Sequence, residues 1–233
     1  MNRKPRFYSS FKQIAAVAAC IPLFCMGTLH AADEPSELNA DTVEYDMKTG
    51  QIIATGNVLL KHGTAKATGT RGMYNVNTQA ARLEGNVIAV KETARVTCDW
   101  AENDGKGHMQ AHGNVHATKE DKSFVGDHID YYPNDRGHIV IPAGGVVSSK
   151  DGTATADMME GWIDEEHYVG IGNAHLISPP KNLEAGGDHL DYYGKDERKA
   201  ILTGNAWAYQ DNHSLRGNRL TVYLAEDGQT KVE

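Results

Sequence analysis

Small or apolar residues alternate with polar ones along Met109-Gln110-Ala111-His112-Gly113-Asn114-Val115-His116-Ala117. A period of two predicts a half-buried β-strand. The same face recurs in Ala81, Leu83, Gly85, Val87 and Ala89, and in Ile52, Ala54, Gly56, Val58 and Leu60. Each such strand carries a Gly-Asn pair. The pairs stand at 56–57, 85–86, 113–114, 172–173 and 204–205, with Gly144-Gly145 filling the remaining place, at steps of 28 to 32 residues. A second landmark begins 15 to 18 residues before each pair: a small residue, usually a polar one, an apolar one, an acid and often Tyr. Ala40-Asp41-Thr42-Val43-Glu44-Tyr45 and Gly126-Asp127-His128-Ile129-Asp130-Tyr131 are examples, and the last copy begins at Gly217.

Apolar parity switches inside this second landmark. Leu38 and Ala40 share one face, Val43 and Tyr45 the other; Phe124 and Gly126 stand against Ile129 and Tyr131. A strand changes its apolar face only through a bulge or a sharp bend. Turn clusters such as Asp46-Met47-Lys48-Thr49-Gly50 and Asn103-Asp104-Gly105-Lys106-Gly107 read as hairpin connections. The pattern predicts an all-β chain of about 14 antiparallel strands, built from seven two-strand repeats with no convincing helix. A β-helix usually needs three strands per coil. Two bent strands per unit with one apolar face suit an open, twisted β-jelly-roll, a sheet folded over so that its inner faces meet in a trough. The predicted inner face carries Val58, Leu60, Leu83, Val87, Met109, Val115, Ile129, Leu190 and Leu202.

The first 32 residues do not follow the repeat. Arg3, Lys4, Arg6 and Lys12 precede an apolar stretch from Ile14 to Leu29, and Ala31-Ala32 stands before Asp33-Glu34. That is the layout of a secretory signal peptide, and its apolar run is short for a spanning helix. Residues 1–32 are expected to be a cleaved leader and 33–233 a single domain. An uncleaved anchor is an alternative. Val17-Ala18-Ala19-Cys20 resembles a lipoprotein box, but the apolar run continues past Cys20. Four of the 23 Lys+Arg lie in the leader, which leaves 19 against 31 Asp+Glu and a net charge of −12. Such a surface argues against nucleic acid, whose binding needs phosphates neutralised by Lys and Arg. Cys20 and Cys25 leave with the leader, so Cys98 is the only cysteine of the expected mature chain and no internal disulfide is available.

Leu38-Asn-Ala-Asp-Thr-Val-Glu-Tyr-Asp-Met-Lys-Thr-Gly50, followed by Ala54-Thr-Gly-Asn-Val58, resembles the opening repeat of the OstA-like, or LptA, family of periplasmic lipopolysaccharide-transport proteins. Ala81-Arg82-Leu83-Glu84-Gly85-Asn86-Val87 continues that pattern. The resemblance is strongest over 36–120. It implies a jelly-roll open along one side, with lipid A acyl chains held in its apolar interior and no enzyme chemistry. It also implies end-to-end pairing of edge strands, with further copies or with LptC-like inner-membrane and LptD-like outer-membrane proteins. The motif also occurs in the membrane-anchored LptC type. On this reading the inner-face residues above contact lipid, and the partner edges are Leu38, Ala40, Val43 and Tyr45 at one end and Leu220, Val222 and Leu224 at the other. Lipopolysaccharide head groups are anionic, so with a chain at −12 affinity would come from acyl burial, about 0.8 kcal/mol per CH₂.

Other chemistry is weaker. His108, His112 and His116 are spaced i, i+4, i+8, but on a strand i and i+4 stand roughly 13 Å apart and cannot share an ion. His128 and His189 recur in the DHxDYY stretches at 127–132 and 188–193, yet Thr42, Arg71, Trp100, Met158 and Arg219 take their place in other repeats, which predicts an outward position. A repeat scaffold using His/Asp ladders with a metal is the alternative from another class; the expectation is no metal, no cofactor and no catalytic group.

Overall fold

The computed structural model describes residues 36–194, 197–224 and 230–232. The expected leader lies outside the described residues. Within them, 17 strands form one sheet. β1 (Ser36–Asn39) and β2 (Thr42–Asp46) both pair with β3 (Gln51–His62). The chain then meanders through β4 (Ala65–Asn75), β5 (Ala81–Lys91), β6 (Ala94–Asn103), β7 (Met109–Lys119) and β8 (Lys122–Tyr132). β9 (His138–Ile141) and β10 (Gly145–Ser149) share β8, while β11 (Gly152–Ala156) and β12 (Met158–Trp162) share β13 (His167–Ser178). β14 (Leu183–Tyr193), β15 (Lys199–Gln210), β16 (His213–Leu224) and β17 (Thr230–Val232) follow in order. All pairings are antiparallel. The one helical element described is the 3₁₀ turn Pro179–Lys181.

The 17 strands are the expected 14 with three of them interrupted, as β1/β2, β9/β10 and β11/β12. Each break falls at the bend of a repeat. Between β9 and β10 it holds Pro142, which lacks the N–H a ladder needs. In the intact strands the bend is a bulge. Gly85 and Asn86 together oppose only Asp99, because the register steps from Glu84↔Trp100 to Val87↔Cys98. Gly85 has φ +83° and Asn86 φ +50°. Glycine takes this left-handed conformation freely and Asn is among the few other residues that visit it, which is why the pair recurs. The pairs at 56–57, 113–114, 172–173 and 204–205 have the same geometry. A bulge bends its strand, and aligned bulges crease the whole sheet.

A side-chain clasp holds the crease. Asn57, Asn173 and Asn205 donate through Nδ2 to the carboxylates of Asp41, Asp157 and Asp188 at 3.0, 2.8 and 2.9 Å. In these three repeats the acid early in the landmark is therefore the partner of the Asn that follows it, and does not merely face water.

The crease divides the sheet into two walls. One holds β1, β10, β11 and the halves of the long strands around Ala67, Val96, Phe124 and Leu176; the other holds β2, β9, β12 and the halves around Leu83, Ile129, Tyr168 and Leu202. Their inner faces meet in one apolar core, with Leu83, Val115, Ala185, Ala200, Leu202 and Val222 wholly buried. Burying a Leu or Val side chain stabilises by about 1.5–3 kcal/mol, so this seam is the main cohesive force of the described residues, whose one cysteine, Cys98, is free. Cys98 sits in it, and burial pushes its thiol up to about 11, which makes it a poor nucleophile.

Candidate functional site

All nine residues expected on the inner face lie there. Val58, Leu83, Val87, Met109, Val115, Ile129, Leu190 and Leu202 are buried, and Leu60 is half-buried against the core. The apolar face is continuous, as the repeat predicts, but the space between the walls is not one open slot. Met109, Val115 and Ile129 border a narrow section of about 70 Å³ whose exposed lining is almost wholly apolar. Leu190 borders a chamber of about 370 Å³ further along. Val58, Leu60, Leu83, Val87 and Leu202 border neither and pack against their neighbours. Phe124 of one wall reaches Tyr168 of the other, ring centroids 6.0 Å apart, between the two sections.

The larger chamber lies at the open mouth, away from the crease. Its floor is Met159, Leu176, Leu190 and Leu224 with Tyr168 and Tyr192; its rim is Glu120, Asp121, Lys122, Lys150, Asp151, Glu166 and Arg198. Two ion pairs cross the mouth from wall to wall: Lys122 Nζ to Glu166 Oε1 at 3.0 Å, and Arg198 to Asp151 at 3.7 Å. Sequence reasoning placed only Leu190 here. Tyr168 and Gly170 alternate with His167, Val169 and Ile171 in the same period of two, a signal that places Tyr168 inside, but nothing local says that a cavity opens beside it.

His108, His112, His128, His138, His167 and His189 line the outer face of the Tyr168 wall, and their setting refines the expectation of plain solvent exposure. Trp100, His112 and His128 stack at 3.7 and 4.0 Å, with Arg82 3.9 Å over Trp100. A second row runs Tyr132, His138, Trp162, His167, Tyr193 at 4.5 to 5.4 Å. The three tryptophans thus pack outside the trough, Trp207 stacking obliquely near His175 at 5.6 Å. Carboxylates tie the rows together: Asp130 takes His108, His138 meets Glu160, and Asp191 takes His189. Among the described residues no three His, Cys, Asp or Glu are disposed to hold a metal ion.

Asp130 has the strongest setting in these rows. Burial raises its pKa, but hydrogen bonds from Gln110 at 2.8 Å and His108 at 2.7 Å, with the His128 and His108 charges, outweigh that and hold it below the ordinary carboxylate value. Its stabilising contribution is complete above that ordinary value and is lost as pH falls through the depressed one. Asp130→Asn should therefore lower the melting temperature at pH 7, by the equivalent of about 1–2 kcal/mol. The gap to the wild type should shrink as melts are repeated toward pH 2. A gap independent of pH would mean that the carboxylate charge is not what holds the row.

The N-terminal edge lies where the repeat placed it. Among the described residues β2 pairs only with β3, and Val43 and Tyr45 are exposed at 49% and 48%. Leu38 and Ala40 at that end are half-buried against the core. The C-terminal edge differs. Val222 and Leu224 pair with β17, and Leu220, Val222 and Leu224 are buried inner-face residues. The stretch of β16 with no described partner on its outer side is His213–Arg219, exposed throughout. β17 takes the place of the seventh repeat's second strand, so the edge expected at Leu220–Leu224 is covered over Val222–Leu224.

No protein-family model matches the chain, and no curated protein does. Among solved structures it is similar to the crystal structure of LptH, the LptA homologous periplasmic component of the conserved lipopolysaccharide transport device from Pseudomonas aeruginosa. Identity is 11% over 86% of this chain and 94% of that one, with a TM-score of 0.22. At that TM-score the likeness carries no argument, and the all-β jelly-roll rests on the strand pairing above. No helix of the described residues is long and apolar enough to cross a membrane.

Proposed function

We propose that this chain is a non-enzymatic lipid-binding bridge or carrier that moves lipopolysaccharide across the periplasm from the inner to the outer membrane, with acyl chains held between its two walls. The single observation that carries the reading is the folded-over sheet itself: two apolar inner faces that meet in a trough and open into a cavity at an accessible mouth. The repeat resemblance over 36–120 supports the choice of lipid. The exposed edge at Val43 and Tyr45 supports strand-by-strand docking, since a free edge offers unpaired backbone groups to another strand. LptC-like and LptD-like partners, or a second copy, would dock there and along His213–Arg219. The lipid contacts proposed are Leu190 and the narrow-section residues Met109, Val115 and Ile129, with the other inner-face residues engaged if the walls part.

Mass spectrometry of lipids extracted from the full chain, expressed with its own N-terminal segment in a lipopolysaccharide-producing host, tests this. Lipid A species should co-purify with the wild type and fall at least tenfold in Met109→Asp, provided its circular dichroism remains that of a folded sheet. A wild-type protein free of acylated ligand, where a known carrier purified in parallel retains it, would overturn the reading.

A further inference from the structure

The mouth chamber of the trough contains an unsatisfied donor. Tyr168 is 6% exposed and lines the mouth chamber, yet its hydroxyl has no hydrogen-bond partner among the described residues. Burial pushes its pKa far above the ordinary tyrosine value, so it remains an O–H donor at any physiological pH. A buried hydroxyl left unpaired costs stability, and such a cost is commonly recovered when a ligand supplies the acceptor. The rest of the floor is Met159, Leu176, Leu190 and Leu224, which offer only apolar contact, with Tyr192 beside them. The volume of about 370 Å³ falls at the small end of the range typical of ligand pockets, suited to one chain and not to several.

The rim supplies the second half of the recognition. Lys122 and Arg198 are engaged across the mouth by Glu166 and Asp151. Lys150, exposed beside them, forms an ion pair with no described residue. It is the rim cation available to a ligand's charge.

We propose that this chamber is a discrete site for a single acyl chain bearing an anionic head, with the Tyr168 hydroxyl donating to an oxygen at the chain's head end and Lys150 facing its charge. The site deepens the proposed function and rests on it for the ligand class. It assigns ligand residence to the chamber between β8, β10, β11 and β13, β14, not to the trough as a whole. The cross-wall pairs Lys122–Glu166 and Arg198–Asp151 frame the way in, so a chain enters sideways past them and not along the crease.

Tyr168→Phe separates a ligand role from a structural one, because the two predict opposite signs. Deleting an unpaired buried hydroxyl should leave the melting temperature of the ligand-free protein unchanged or raise it. The same change should weaken binding of 11-dansylamino-undecanoic acid, followed by dansyl fluorescence, by about 3- to 10-fold. Lys150→Glu, on an exposed residue that cannot upset the core, should weaken the same probe several-fold and leave its uncharged methyl ester unaffected. Ala111→Val, in the narrow section, should change neither. One probe bound per chain with this pattern supports the site. Equal affinity in wild type, Tyr168→Phe and Lys150→Glu overturns it, as does no binding to the wild type. If lipid A co-purifies while these variants bind the probe like the wild type, the chamber assignment fails and the transport reading stands. If the pattern appears but no lipid A co-purifies, the chamber stands and it is the transport reading that fails.

Discussion

Phe124→Ala should destabilise the protein by about 3–5 kcal/mol, read as a shifted midpoint in chemical denaturation. Phe124 is 2% exposed and is among the largest fully buried side chains of the chain. It stands on β8 and reaches across the trough to Tyr168. Its loss removes apolar burial and leaves a void that two stiff walls, each held by ladder hydrogen bonds and creased by bulges, cannot collapse to fill. Against a typical domain stability of about 5–15 kcal/mol, that is a fifth of the total at the least. The void also joins the narrow section to the mouth chamber. If the protein survives, the dansyl probe should bind with altered stoichiometry or affinity. A midpoint within 1 kcal/mol of the wild type would show that the walls re-close, and would remove Phe124 as the divider of the trough.

How much of this was legible beforehand depends on the range over which each feature is written. The repeat is local: Gly-Asn and its preceding acid lie 16 or 17 residues apart, so the period, the strand count and the inner face of Leu83, Val115 and Leu202 could be read from spacing and parity. The Asp–Asn clasp was visible as a recurrence but not as a contact, since a period of two places both residues outward and says nothing about a crease between them. The mouth chamber was not legible. Lys122 and Glu166 are 44 positions apart and meet only because twist carries the rim of one wall over a later repeat of the other. Parity places Tyr168 inside without revealing that its neighbours fail to fill the space. The outer rows escaped for another reason. Each ring looks like an isolated exposed residue in its own repeat, and only the register His112↔His128 or His138↔Trp162 turns them into stacks.

Gly85→Ala should cost about 2–4 kcal/mol, while Gly144→Ala should cost only about 1–2 kcal/mol. Both glycines have positive φ, +83° and +64°, so both substitutions pay the intrinsic strain of an L-residue in the left-handed region. They differ in what a methyl group would meet. At Gly85 it would overlap Thr70 Oγ1, with Thr70 Cβ and Cγ2 both 2.9 Å away, and Thr70 is held there by its hydroxyl donating to the Glu84 carbonyl. At Gly144 nothing lies within 4 Å. The difference between the two variants, measured by denaturation of each, isolates the close approach at the crease from the backbone conformation alone. Equal losses would mean that Gly is required in the repeat only for its dihedral angles, and Asn would then serve in its place. A larger loss at 85 would mean that the acid or Thr lying over each bulge sets the angle between the walls, and with it the width of the trough that any acyl chain must enter.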